Sequence, residues 1–191
     1  MLQGRAGRDG YALFLCNLIP AYRFLEAALR RQARDPRLAA FAVPALYRES
    51  ALQADRAALA AMGARLPARL PCAMAYAARI AAADAPRLLA HAYVRYLGDL
   101  SGGRILARLL ARAPGLGPEA LRFYAFPGIA EPEVFRDGLR RAIDATPLSA
   151  SEQEHALTEA CLAFDHNIRL SLEVAAVIRA RRDADGVAPP G

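Results

Sequence analysis

An all-α fold, one domain of seven to nine helices packed as a multi-helix bundle, follows from three features of this sequence. Apolar residues recur at three- and four-residue steps through most of the chain, the spacing that lines one face of a 3.6-residue helix. Proline, glycine and capping residues punctuate those runs where helices start and stop. No segment alternates apolar and polar residues between hairpin turns, so no strand is expected. A chain of 191 residues, 55% of them hydrophobic, is large enough to bury a substantial core.

The first helix spans about residues 9 to 34. Tyr11, Phe14, Leu15, Leu18, Tyr22, Leu25 and Leu29 form its apolar face, Asp9 stands near its N-terminus, and Pro20 should kink it. A second runs from about Leu46 to Met62 and stops at Gly63; a third runs from Pro71 to just before Asp84. Asp84 or Ala85 caps the fourth, with Pro86 in its first turn, where a missing N–H does no harm. That helix continues to about Arg112, and "APGLGPE" ends it. A short helix over 118–124 and another over 132–145 follow. Ser149 with Glu152 three residues later is a capping box, and the last helix extends from there to about Arg181. The domain thus covers 1–182, with 183–191 expected as a disordered tail and no internal repeat.

The formal charge is +6, yet all 25 basic residues are arginine and they alternate with alanine along the whole chain. No basic stripe interleaved with aromatics emerges, which argues against a nucleic-acid partner, while an anionic small ligand suits the charge. Cys16, Cys72 and Cys161 form no C-x-x-C pair, so neither a disulfide framework nor a zinc site is suggested, and a reducing cytoplasm is the simplest location. The stretch "MLQGRAGRDG" lacks a signal-peptide apolar core, and the longest apolar run, "YALFLCNLIPAY", is too short to span a bilayer; no membrane is expected as a partner.

One segment stands apart. "HAYVRYLGDLSGGRILARLLAR", residues 91 to 112, reads as one amphipathic helix although Gly98, Gly102 and Gly103 fall inside it. Each glycine costs about 1 kcal/mol relative to alanine in a helix interior. Gly98 and Gly102, four apart, share one face and bare the backbone there. Two readings stand open: close packing of another helix, or a flat, wide ligand around which the helix bends. Asp99 and Ser101 flank the strip with polar groups that packing alone does not require.

The stretch "AHAYVRYLGDLSGGR" closely resembles the most characteristic segment of the heme oxygenases, a tyrosine-rich helix leading into Gly-Asp-Leu-Ser-Gly-Gly. Weaker resemblance continues in "GRDGYALFLCNLIPAYRFLEAAL", "FAVPALYRESALQAD", "FYAFPGIAEPEVFRDGLRRAID" and "AFDHNIRLSLE". It implies a single all-α domain that opens heme to biliverdin, releasing iron and carbon monoxide. Heme would be both substrate and cofactor, with O2 and an external electron donor, a reductase or ferredoxin, as co-reactants. Arginines on the open face suit docking of an acidic donor.

Residue by residue, the resemblance places Gly98, Gly102 and Gly103 over the porphyrin, leaving room for oxygen and steering it to one meso carbon. Asp99 matches the aspartate that holds ordered water beside the oxygen and relays protons to it. Arg136 and Arg140, one helical turn apart, match cations on the heme propionates, Arg136 standing where lysine is common. Tyr93 matches a tyrosine on a propionate; Phe164 and Asn167 match a pocket-wall phenylalanine and a nearby asparagine. From the residues alone these last two read as a core aromatic and a satisfied polar group.

The sequence departs from the family in one respect. The family's axial histidine sits on a helix preceding the segment that here begins "LQGRAGRDGY", and no histidine occurs before His91. His91 matches a family histidine that is not the axial ligand, and His155 and His166 lie on the last helix, so no metal ligand is identified. Two readings follow: a longer protein whose proximal helix lies upstream, or a non-catalytic heme- or bilin-binding relative lacking it.

Overall fold

The computed structural model describes residues 7–184, and every regular element among them is helical. The α-helices are α1 (Arg8–Arg31), α2 (Glu49–Ala61), α3 (Pro71–Ala81), α4 (Ala85–Ala92), α5 (Gly98–Leu110), α6 (Pro132–Asp144) and α7 (Ala150–Ala184). Short 3-10 turns occupy Pro44–Leu46, Pro118–Ala120 and Arg122–Tyr124. A π-helical turn, Tyr93–Leu97, joins α4 to α5, so the glycine-bearing segment is one helix with a single widened turn. Such turns insert a residue and re-aim the side chains beyond them.

Helix α1 is the centre of the bundle, packed by α2, α3 and α7. Tyr11, Leu15, Leu18, Tyr22, Leu25 and Leu29 are all buried on it, the face expected from their spacing. The helix runs on through Pro20, and it ends at Arg31 rather than 34. Pro36 disfavours helical backbone at Asp35, whose carboxylate instead accepts the Arg37 N–H at 2.9 Å and closes a turn. By length and composition α1 is long enough to cross a bilayer, which corrects the expectation from its apolar run. Its most apolar window is 78% buried inside the fold, the signature of a core helix.

Two buried side chains fix the neighbouring elements. Glu26 of α1 accepts the backbone N–H groups of Arg48 and Glu49, filling acceptor positions at the start of α2. This moves the start of α2 to Glu49, three residues later than the apolar pattern indicates. Asn17 donates to Leu13 O at 2.8 Å and accepts from Leu70 N at 2.6 Å, tying the loop before α3 to the central helix.

The caps read from sequence are in place. Asp84 accepts from Arg87 N at 3.1 Å, while Ser149 and Glu152 exchange backbone contacts at 2.8 and 3.3 Å. The expected helix over 118–124 resolves into two 3-10 turns, and α7 continues to Ala184, so Asp183 and Ala184 are helical rather than tail. The rest of the expected tail, 185–191, lies outside the described residues. Where α7 crosses α3 and α4, buried Glu159 takes a two-pronged contact from Arg79 at 2.6 and 2.8 Å.

Candidate functional site

The polar centre of the molecule is built around Asp99, in the first turn of α5. Tyr22 reaches it from α1 and donates its hydroxyl hydrogen to Oδ2. Arg95, one turn earlier, donates from Nε and Nη2 to the Tyr22 hydroxyl oxygen at 3.0 and 2.7 Å, and its Nη2 stands 3.5 Å from Asp99 Oδ1. The same guanidinium lies over the Tyr22 ring, 4.9 Å from its centroid. Its Nη1 donates to Asn167 Oδ1 on α7. Three helices and the π turn thus meet in one hydrogen-bond chain, with the Arg95 and Asp99 side chains only 11% and 10% exposed.

Burial decides the protonation tendencies. It pushes the Asp99 carboxyl above the usual carboxylate range, opposed by the charge of Arg95, the Tyr22 hydrogen bond and more distant Arg48. Burial also raises Tyr22, so the phenol stays a neutral donor. For Arg95 burial acts downward, but the oxygens of Tyr22, Asp99 and Tyr76 outweigh it and the guanidinium stays charged. A carboxyl tuned upward, anchored by fixed donors and reaching the surface, is suited to holding and passing a proton.

Beside Asp99 runs the bare strip. A Cβ built on Gly98 or Gly102 would find nothing within 4 Å, so among the described residues no helix packs against either glycine. Gly103, expected on the same strip, sits on another flank: its Cβ would meet Tyr124 Cδ1 at 3.4 Å. It is a buried packing position under the helix, one residue and about 100° of helix rotation away from Gly102. Arg136 of α6 stands at the strip's edge, donating to Ser101 Oγ at 3.5 Å, with its Nε 3.8 Å from Asp137 Oδ1. Arg140, a turn further on, pairs with Asp137 at 3.0 Å and is half exposed.

Tyr93 lies on the π turn, 37% exposed, and lines an apolar cleft of about 370 Å3 with Leu89, Ile143, Leu148 and Leu157. Phe164, expected in a pocket wall, is 51% exposed; with Leu157, Ile168 and Leu172 it forms an apolar stripe along α7. Asn167 is drawn away from that stripe into the Asp99 chain through Arg95.

A family model described as heme oxygenase matches residues 1–173. The chain belongs to the heme oxygenase family. It is 32% identical over 194 residues to the heme oxygenase of Takifugu rubripes, covering 98% of this chain and 70% of that one. Against heme oxygenase 1 of Synechocystis the identity is 32% over 177 residues, 91% of this chain and 74% of the other. The crystal structure of the cyanobacterial heme oxygenase-1 in complex with heme superposes with a TM-score of 0.82 at 28% identity, covering 94% of this chain and 83% of that chain.

For a heme oxygenase the residues present suit a porphyrin. The strip offers open backbone that a flat ring can approach, and Arg136, 3.8 Å from Asp137 and 3.5 Å from Ser101, places a cation at its edge. The histidines are placed differently. His91 is fully buried between the Tyr76 ring at 5.5 Å and Glu159, whose oxygen is 2.9 Å from Nε2, and burial brings its pKa down to about 4. His166 stacks on the opposite partner of that group, Tyr76, at 4.8 Å. No cluster of three His, Cys, Asp or Glu able to hold a metal ion occurs among the described residues.

Two members of the polar centre, Tyr22 and Arg95, are absent from the sequence-derived candidates. Arg95 carries a local signal, standing four residues before Asp99 on one helix face. Tyr22 carries none, being 77 residues away and indistinguishable in the pattern from its apolar neighbours.

Proposed function

We propose that this chain binds heme against the Gly98–Gly102 strip and opens the ring to biliverdin, releasing iron and carbon monoxide, with O2 and electrons from a separate reductase or ferredoxin-type donor. The observation that carries this reading is the placement of Asp99, its carboxyl held by Tyr22 and Arg95, directly beside two glycines whose missing side chains leave open space.

When bound, heme supplies the redox iron and the ring that is cleaved. The chain's own residues bind, orient and deliver protons. Gly98 and Gly102 let the macrocycle approach the backbone. Arg136, Arg140 and Tyr93 suit the two propionates, the arginines by charge-assisted hydrogen bonds. Phe164 and its apolar neighbours on α7 suit the hydrocarbon edge and keep water from it. Asp99 holds or moves a proton at its carboxyl oxygens, and Tyr22 and Arg95 keep that carboxyl aimed.

Titration of the purified protein with hemin, imidazole present to supply an axial nitrogen, tests the reading. A sharp Soret band that converts to a biliverdin spectrum on adding reductant and O2 supports it. A bound but inert spectrum points to a non-catalytic heme or bilin binder, and absence of binding overturns both.

A further inference from the structure

We infer that Asp55 is a positioning residue for Asp99, acting through the Arg122–Tyr124 turn that it clamps from beneath. This rests on the role proposed for Asp99. Asp55 lies on α2 and is 0% exposed, with the charge of Arg122 acting on it from a distance. Its two oxygens each accept one backbone N–H, Oδ1 from Arg122 at 2.9 Å and Oδ2 from Phe123 at 2.8 Å. Those donors open a 3-10 turn whose Phe123 and Tyr124 are buried, and the buried Phe123 N–H would otherwise lack an acceptor. An ionisable carboxyl in an apolar core is costly, and burial pushes this one up to about 6. A side chain kept there at that cost fixes something.

What it fixes is the pair of rings on the turn. Phe123 and Tyr22 form a T-shaped pair, with centroids 5.4 Å apart and planes at 78°. Tyr124 packs beneath Gly103 and stacks with Tyr11 at 6.4 Å. Tyr22 is the donor to Asp99, and Gly103 belongs to the helix that carries the open strip. The clamp therefore bears on both the donor that aims the Asp99 carboxyl and the backbone that positions it. Asparagine at position 55 keeps the shape but offers one acceptor and one donor, so its amide N–H would oppose one of the two backbone N–H groups.

The test reads the ionisation of Asp99 in the ligand-free protein, by the 13C shift of its carboxyl carbon against pH. Tyr22, Arg95 and Arg48 are the groups that act on that carboxyl. In Asp55→Asn, loosening of the Tyr22 hydrogen bond is expected to raise the Asp99 midpoint by about half a unit to one unit, three- to tenfold in its ionisation constant. Ile80→Ala, a buried position on α3, is the control for loss of stability alone and should leave the midpoint in place. An unchanged midpoint in Asp55→Asn, or an equal shift in Ile80→Ala, overturns the inference. Should Asp55→Asn not fold, Phe123→Leu removes the ring packed against Tyr22 and keeps the clamp; it should raise the midpoint too, and no shift there overturns the inference equally. Because no heme is present, a failure of heme binding or turnover counts against the proposed function and leaves this measurement separate.

Discussion

Tyr22 on α1 and Asp99 on α5, 77 residues apart in sequence, form the hydrogen bond on which the polar centre turns. Tyr22 is donor to the carboxylate and acceptor from Arg95 at once, so one hydroxyl fixes both charged groups. Tyr22→Phe should cost about 1 kcal/mol in stability. It should lower biliverdin formation on the order of tenfold while hemin affinity stays within about twofold, because the phenol lies behind the carboxyl and away from the strip. Parallel hemin titrations and single-turnover spectra check both.

The two kinds of glycine should separate. At Gly102 an added methyl meets open space, so Gly102→Ala is expected to stabilise the ligand-free protein by about 0.5–1 kcal/mol and to weaken hemin binding by intruding on the strip. Gly103→Ala, which brings a methyl to ordinary contact with Tyr124, should leave hemin affinity close to that of the parent. Thermal melts with and without hemin distinguish them.

The edge cations should read the propionates. The parent is expected to prefer hemin over its dimethyl ester, and the preference should shrink stepwise in Arg136→Ala and in the double variant with Arg140→Ala. Competition between the two porphyrins measures it.

Acid should weaken the fold through His91. Its folded pKa, about 4, lies below the unfolded value of 6.5, so the unfolded chain binds the proton first. Stability is then lost as pH falls from 6.5 toward 4, by about 2 kcal/mol at pH 5 relative to pH 7. Asp55, pushed up to about 6, acts in the opposite sense over the same range, so the comparison needs a variant. Urea unfolding of the parent and of His91→Gln at the two pH values should show the parent losing more.

How far the sequence was legible follows from the range of the forces involved. Helix periodicity and the caps at Asp84 and Ser149 depend on residues within one turn of each other, and they stand in the structure as read. The start of α2 was not legible, because the group that caps it, Glu26, comes from another helix. Nor was the π turn at 93–97, since no residue in it demands a wider turn locally. At the site, Gly98, Asp99 and Gly102 fall within five consecutive residues and could be singled out together. Gly103 looks identical in sequence and differs only because Tyr124 lies under it. Tyr22 becomes polar machinery only when the fold brings α1 against α5, which no local pattern records.

The central claim is that Asp99 acts on heme lying along the glycine strip, and the most direct measurement is the biliverdin formed per heme consumed by the parent and by Asp99→Ala, with hydrogen peroxide followed in the same samples. The expected result is hemin affinity within about twofold of the parent, a loss of biliverdin yield on the order of a hundredfold and peroxide in its place. An unchanged biliverdin yield in Asp99→Ala would contradict the account.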